Sequence, residues 1–136
     1  MKDTNCIFCK IANGEIPSKT IYEDDAFRVI LDIGPATKGH ALILPKDHYA
    51  DFFELPEDVA HDAISVAKKI APKMKANLKA DGFNLVQNNG EAAGQTVMHF
   101  HLHLIPRYKN DGQNLLWTPG EVSPEELDLI KAQIEG

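Results

Sequence analysis

Apolar residues along this chain recur with two periods, and the switches between them mark its elements. Alternation dominates the first third. "TIYEDDAFRVILDI" reads as two short strands around the Asp24-Asp25 turn, and "HALILP" as a further strand ended by Pro45. Between them "GPATKG" is a loop. From Glu57 to Lys79 the period changes: Ala60, Ile64, Ala67, Ala71, Met74 and Leu78 fall at three- and four-residue steps, which predicts a helix. Pro72 lies inside it and is expected to kink or divide it, since proline removes one backbone hydrogen bond. "DGF" predicts the helix end, with Gly82 as the left-handed stop.

Alternation then returns in "FNLVQN" and, after the polar loop "NGEAAGQT", in "VMHFHLHLI". On a strand, residues 97, 99, 101, 103 and 105 share one side, while Met98, Phe100, Leu102 and Leu104 point into the core. "SPEE" opens a last, short amphipathic helix. Ser123 is its cap, Pro124 its first helical position, and Glu126 is placed to close a capping box. Strands, a long helix, strands and a short helix predict one α+β domain over residues 1–136, an antiparallel sheet covered by a helix.

The pattern sets His99, His101 and His103 on one side of a strand. Same-face neighbours are about 6.6–6.8 Å apart, so the outer two lie about 13 Å apart. A zinc–nitrogen bond spans only about 2.0–2.1 Å. One ion cannot meet all three, so at least one imidazole does other work, as nucleophile or proton shuttle near neutral pH.

Charge and composition narrow the partners. A net charge of −6 recruits neither nucleic acid nor an acidic membrane surface, so an anionic ligand needs a local site. Lys68, Lys69, Lys73, Lys75 and Lys79 read as a solvated helix face. No window reaches the roughly 20 apolar residues of a membrane span, and "MKDTNCIFCK" lacks the signal-peptide pattern. The expectation is cytoplasm, where Cys6 and Cys9 stay reduced. Alone, Cys6-x-x-Cys9 leaves open half a zinc site, a redox pair or two small residues.

"HFHLHLIPR" resembles the histidine triad (HIT) signature, and "GQTVMHFHLHLIPR" the longer pattern around it. The likeness extends to "CIFCKIANGEIPSKTIYEDDAF", "LDIGPATKGHALILPKDHY" and "NNGEAAGQT", and is greatest to the bacterial branch related to Hint proteins. It implies the HIT-like fold, joined into a continuous sheet across a homodimer, and a purine nucleotide cleaved at its α-phosphate. By resemblance His101 is the nucleophile that forms a covalent nucleotidyl-histidine, His103 sits by the phosphate, and His40 buttresses His101. Gln95 and Thr96 contact phosphate oxygens or the departing group, and Gly94 lets the backbone approach. Asp32 accepts from the ribose hydroxyls. Ile7, Phe8, Ile30, Ile33 and Leu42 surround the base, while Asn88 and Val97 complete the nucleotide site. The cysteine-bearing relatives imply a structural zinc on Cys6, Cys9, His48 and His99. His61 receives no role.

The resemblance favours a nucleoside phosphoramidate hydrolase. A dinucleoside polyphosphate hydrolase and a non-catalytic nucleotide sensor are the alternatives. A catalytic metal hydrolase is disfavoured by the strand geometry.

Overall fold

The structure, a computed structural model, describes residues 2–136. In chain order the elements are α1 (Ile7–Ala12), β1 (Thr20–Glu23), β2 (Phe27–Leu31), β3 (Ala41–Pro45), α2 (Glu57–Leu78), β4 (Gly82–Val86), a 3-10 turn (Glu91–Ala93), β5 (Leu102–Arg107) and α3 (Pro124–Glu135). The strands form one five-stranded sheet in the order β1-β2-β3-β5-β4, every neighbour antiparallel. This is the α+β architecture that the pattern predicts.

Strand periodicity divides the molecule into two sides. Val29 pairs with Ile43 and Ile43 with Leu102. That row packs with Ala63, Val66, Ala67, Ile70 and Met74 of α2 to make the main core. One residue along, Ile30 pairs with Leu42, Leu42 with His103, and His103 with Val86. This second row faces the other way. Ile30, Leu42 and Leu44 are buried there with Ala12 of α1, and Phe8 and Ile11 pack on them. A single strand register therefore puts apolar residues and a histidine side by side.

Several elements depart from expectation. Pro72 does not divide α2, which runs unbroken for 22 residues. It lies on the exposed side of the helix, where one missing backbone hydrogen bond does not strand a group in the core. The helix stop is Lys79, at φ 56°, not Gly82, which instead opens β4. The Ala80 N–H closes the turn on the Lys75 carbonyl at 3.0 Å, so hydrogen bonding holds a lysine in a conformation that disfavours it by roughly 1–2 kcal/mol.

The histidine segment becomes regular strand only at Leu102; residues 97–99 are a bend. The reason lies across the sheet. β3 ends at Pro45, which has no N–H to offer, and the Pro45 carbonyl is taken by the ring of His99. Phe100, Leu102 and Leu104 still reach the core, but Met98 is exposed.

Ser123 caps α3 as expected, accepting from the Glu126 N–H at 3.1 Å. Only half of the capping box forms, because the Glu126 carboxylate meets the Ser123 hydroxyl rather than its backbone. No residue of α3 is buried. Among the described residues, no helix is long and apolar enough to cross a membrane.

Candidate active site and metal centre

The three histidines differ in what each ring nitrogen meets. His101 Nδ1–H donates to the His99 carbonyl at 2.7 Å. A carbonyl can only accept, so the lone pair of neutral His101 is left on Nε2. The ring is 6% exposed, and Phe8 packs edge-on against it at 5.0 Å between centroids. Burial pushes its pKa below the ordinary histidine value, which keeps it neutral and nucleophilic at neutral pH.

His40 is fixed from behind. The Ala36 N–H donates to its Nδ1 at 2.9 Å, so neutral His40 carries its hydrogen on Nε2. That hydrogen is donated to His103 Nδ1 at 2.9 Å. The hydrogen of His103 must then sit on Nε2. Burial, with His101 and His40 nearby, lowers the His103 pKa to about 4. Burial likewise lowers that of His40, against the pull of Asp32. His40 thus braces His103, and the expected buttress to His101 is not the contact it makes. Asp32 lies at the mouth of this pair, one oxygen 3.6 Å from His40 Nε2 and the other accepting the Gly34 N–H at 2.8 Å.

Gln95 also differs from expectation. Its carboxamide oxygen accepts from the Gly90 N–H at 2.8 Å, and its nitrogen donates to the Ala50 and Val97 carbonyls at 2.7 and 3.0 Å. A buried amide spent in this way organises the loop and is not free for phosphate. Gly94 follows the 3-10 turn at φ 95°, a conformation suited to glycine, with the Asn88 side chain alongside. Thr96 is exposed and Val97 half-buried. With Ile7 and Met98 they line a cavity of about 460 Å³ beside the Cys6 end of α1. Ile30 and Leu42 form the buried floor under Phe8. Ile33 is fully exposed on the turn after Asp32.

The fourth group is Cys6, Cys9, His48 and His99, whose ligand atoms all lie within 4.8 Å of one another. His99 Nδ1 is 3.3 Å from Cys6 Sγ and 3.4 Å from Cys9 Sγ, and His48 Nδ1 is 3.5 Å from Cys9 Sγ. His99 Nε2–H donates to the Pro45 carbonyl at 2.9 Å, which aims the Nδ1 lone pair inward. Such outer bonds orient histidine ligands, and two sulfurs with two imidazoles suit tetrahedral zinc. Burial raises the Cys9 thiol pKa, so a cation is what would draw off its proton.

Asp32, His40 and His103 lie equally close together. There, however, the Ala36 N–H occupies Nδ1 of His40, so its Nε2 presents a hydrogen and not a lone pair. That tautomer makes the second cluster a hydrogen-bonding chain and a poor metal site.

A strap beyond β5 holds the loop that carries this chain. Thr37 donates to the Pro106 carbonyl at 2.5 Å, Tyr108 to the Lys38 carbonyl at 2.7 Å, and Gln113 to the Ala36 carbonyl at 2.8 Å. Asp111 accepts from Arg107, from the Tyr108 N–H and from the Gln113 N–H, which shapes the strap. The Arg107 guanidinium holds the Asp111 carboxyl far below the usual carboxylate range. Tyr108, Asp111 and Gln113 belong to no sequence motif that marks them as functional. The Asp-Gly turn at 111–112 is the local signal of the strap in the sequence.

Comparison with known proteins gives a match to the HIT domain over residues 13–110. A solved HIT family protein from Bacillus anthracis superposes with a TM-score of 0.89 at 49% identity, covering 97% of this chain and 96% of that one. A zinc-bound histidine triad family protein from Mycobacterium smegmatis superposes with a TM-score of 0.77 at 40% identity, covering 96% of each chain. The adenosine 5'-monophosphoramidase of Saccharomyces cerevisiae is 40% identical over 97% of this chain and 82% of its own.

Proposed function

This chain belongs to the HIT domain family, and we propose that it is a purine nucleoside phosphoramidate hydrolase working through a covalent nucleotidyl-His101. The observation that carries the reading is the His101 Nδ1–H bond to the His99 carbonyl, which leaves Nε2 free to attack. The yeast relative's name, an adenosine 5'-monophosphoramidase, supports the substrate class.

In the first step His101 Nε2 bonds to the α-phosphorus as the P–N bond breaks. A phosphoramidate nitrogen that arrives protonated departs as a neutral amine and needs no proton from the enzyme. His103 is suited to a different task. Its Nδ1 already accepts from His40, so neutral His103 would become imidazolate if it gave up its Nε2 hydrogen. It therefore donates a hydrogen bond to a phosphoryl oxygen and stabilises charge there. In the second step water attacks phosphorus, His101 leaves as neutral imidazole, and one water proton goes to solvent. Asp32 accepts from the ribose hydroxyls, Phe8 and Ile7 flank the base above Ile30 and Leu42, and Thr96 faces the departing group.

The polyphosphate alternative is weakened by Arg107. Its guanidinium is committed to Asn84 and Asp111 rather than free for extra phosphates. The same reading includes a structural zinc on Cys6, Cys9, His48 and His99, supported by the zinc-bound mycobacterial relative. It also includes a cytoplasmic twofold dimer paired through the β4 edge, where Leu85 is exposed beside Ile64 and Phe83.

The test is to incubate the protein with adenosine phosphoramidate and, separately, diadenosine polyphosphate, quench in alkaline denaturant and map the nucleotidylated residue. Label on His101, chased by water and lost in His101→Ala, is expected. Label elsewhere, or binding without turnover, would refute the covalent hydrolase.

A further inference from the structure

Cys6 and Cys9 differ in access, although both face the candidate metal centre. Cys6 is half-buried and lines the cavity of about 460 Å³ that Ile7, Thr96 and Met98 also line. Cys9 is buried, at 2% exposure. Cys6 caps α1, its sulfur accepting the Cys9 N–H at 3.3 Å, and the Cys9 sulfur accepts the Asp3 N–H at 3.4 Å. Both sulfurs belong to the group of ligand atoms that lie within 4.8 Å of one another. Sulfurs this close can be bridged without unfolding α1. An accessible sulfur next to a buried one suits a thiol that is oxidised and a second thiol that resolves it.

The pair is joined to His101 by two routes. His99 Nδ1 meets both sulfurs, at 3.3 and 3.4 Å, and the His99 carbonyl holds the His101 Nδ1–H at 2.7 Å. Phe8 lies between the two cysteines in sequence and packs edge-on against both rings, 6.1 Å from His99 and 5.0 Å from His101 between centroids. His99 is fully buried. A thiol can donate its hydrogen to Nδ1, and a bound cation can take the lone pair. A disulfide offers neither, so it leaves a buried ring nitrogen without those partners.

We propose that Cys6 and Cys9 are a reversible modification site for hydroperoxides, and that the disulfide they form expels the metal and loosens His101. The inference rests on the zinc and His101 readings above. With a cation bound, both sulfurs are thiolates. The Cys6 sulfur attacks the peroxide, the O–O bond breaks, and Cys6 becomes a sulfenic acid as hydroxide or alkoxide departs. The Cys9 sulfur then attacks the Cys6 sulfur and displaces hydroxide. Two thiolates lose two electrons, the peroxide gains them, and two solvent protons neutralise the departing anions. The disulfide keeps no ligand charge, so the cation is released. In a reducing compartment such a bond is transient, because other thiols reverse it.

The experiment uses zinc-loaded, full-length protein. Zinc content and nucleotide label on His101 are measured before any oxidant is added, so failure of either underlying reading is seen first. Hydrogen peroxide is then added with a metallochromic dye. About one zinc per chain should appear in step with the loss of two hydrogens from the peptide that holds Cys6 and Cys9. Labelling of His101 should run about fivefold or more slower than in chelated, reduced protein, and a phosphine reductant with zinc should restore it. In Cys9→Ser, dimedone should trap the sulfenic acid on Cys6, and in Cys6→Ser it should trap none on Cys9. Retained zinc with both thiols reduced, oxygen gained at Met98 alone, or a disulfide form that labels as fast as chelated, reduced protein would overturn the proposal. Should either serine variant misfold, the measurements on the unaltered chain decide.

Discussion

His40 gives its Nε2 hydrogen to His103 Nδ1 across 2.9 Å, and it can do so because the Ala36 N–H has claimed its other nitrogen. One backbone amide thereby dictates the protonated nitrogen of two imidazoles. His40→Ala removes the brace and frees His103 to rotate or change tautomer. A buried hydrogen bond of this kind is worth about 1–3 kcal/mol, so kcat should fall roughly tenfold to hundredfold. Steady-state kinetics on a phosphoramidate will check this. An unchanged kcat would mean that His103 needs no brace.

Acid should weaken the fold in a defined window. The His103 pKa falls from an unfolded value of about 6.5 to about 4 in the fold. Its neutral form is the one the fold prefers, so its stabilising effect is fully present above the unfolded value and is lost as pH drops toward about 4. Burial shifts His40 and His101 in the same direction. Chemical denaturation at a series of pH values should therefore show declining stability below about 6.5. His103→Asn should flatten that decline, and a decline of the same slope would assign it to other groups.

The strap beyond β5 acts at a distance through the Ala36–Lys38 loop. Tyr108→Phe and Gln113→Ala each delete one side-chain bond to that loop. A net value of about 0.5–1.5 kcal/mol per bond predicts a loss of about twofold to tenfold in kcat, with KM nearly constant. A change confined to KM would instead place these residues in substrate binding.

Zinc removal tests the Cys6, Cys9, His48 and His99 group. Protein prepared without chelator should contain about one zinc per chain by elemental analysis, the stoichiometry of a four-ligand site. Chelation, or Cys9→Ser, should lower the melting temperature by several degrees or more, since metal bound only by the folded state stabilises it. The His101 chemistry should persist at reduced temperature. Metal-free protein with an unchanged melting curve after chelation would dismiss the site.

Gln95→Ala should act on the loop. It leaves the Gly90 N–H and the Ala50 and Val97 carbonyls without their partner. These groups are only part-buried, and each lost bond is worth about 0.5–1.5 kcal/mol, so a measurable loss of stability is expected before any effect on chemistry. Full stability with lost activity would restore a phosphate-binding role.

The alternating and helical periods of this sequence determined its elements and fold class. Period alone decides which side of a strand is buried, and α2, α3 and most of the sheet follow from it. The histidine cluster was legible for the same reason, but that His99 sits on a bend ahead of the regular strand was not. The rest depended on contacts between residues far apart in the chain. Which nitrogen of His101 is free depends on the His99 carbonyl, and whether His103 can give up a proton depends on Ala36 behind His40. Gln95 became a loop residue because Ala50 folds against it from 45 positions away. A residue's type fixes what hydrogen bonds it can make, but only the packed chain decides which partners arrive.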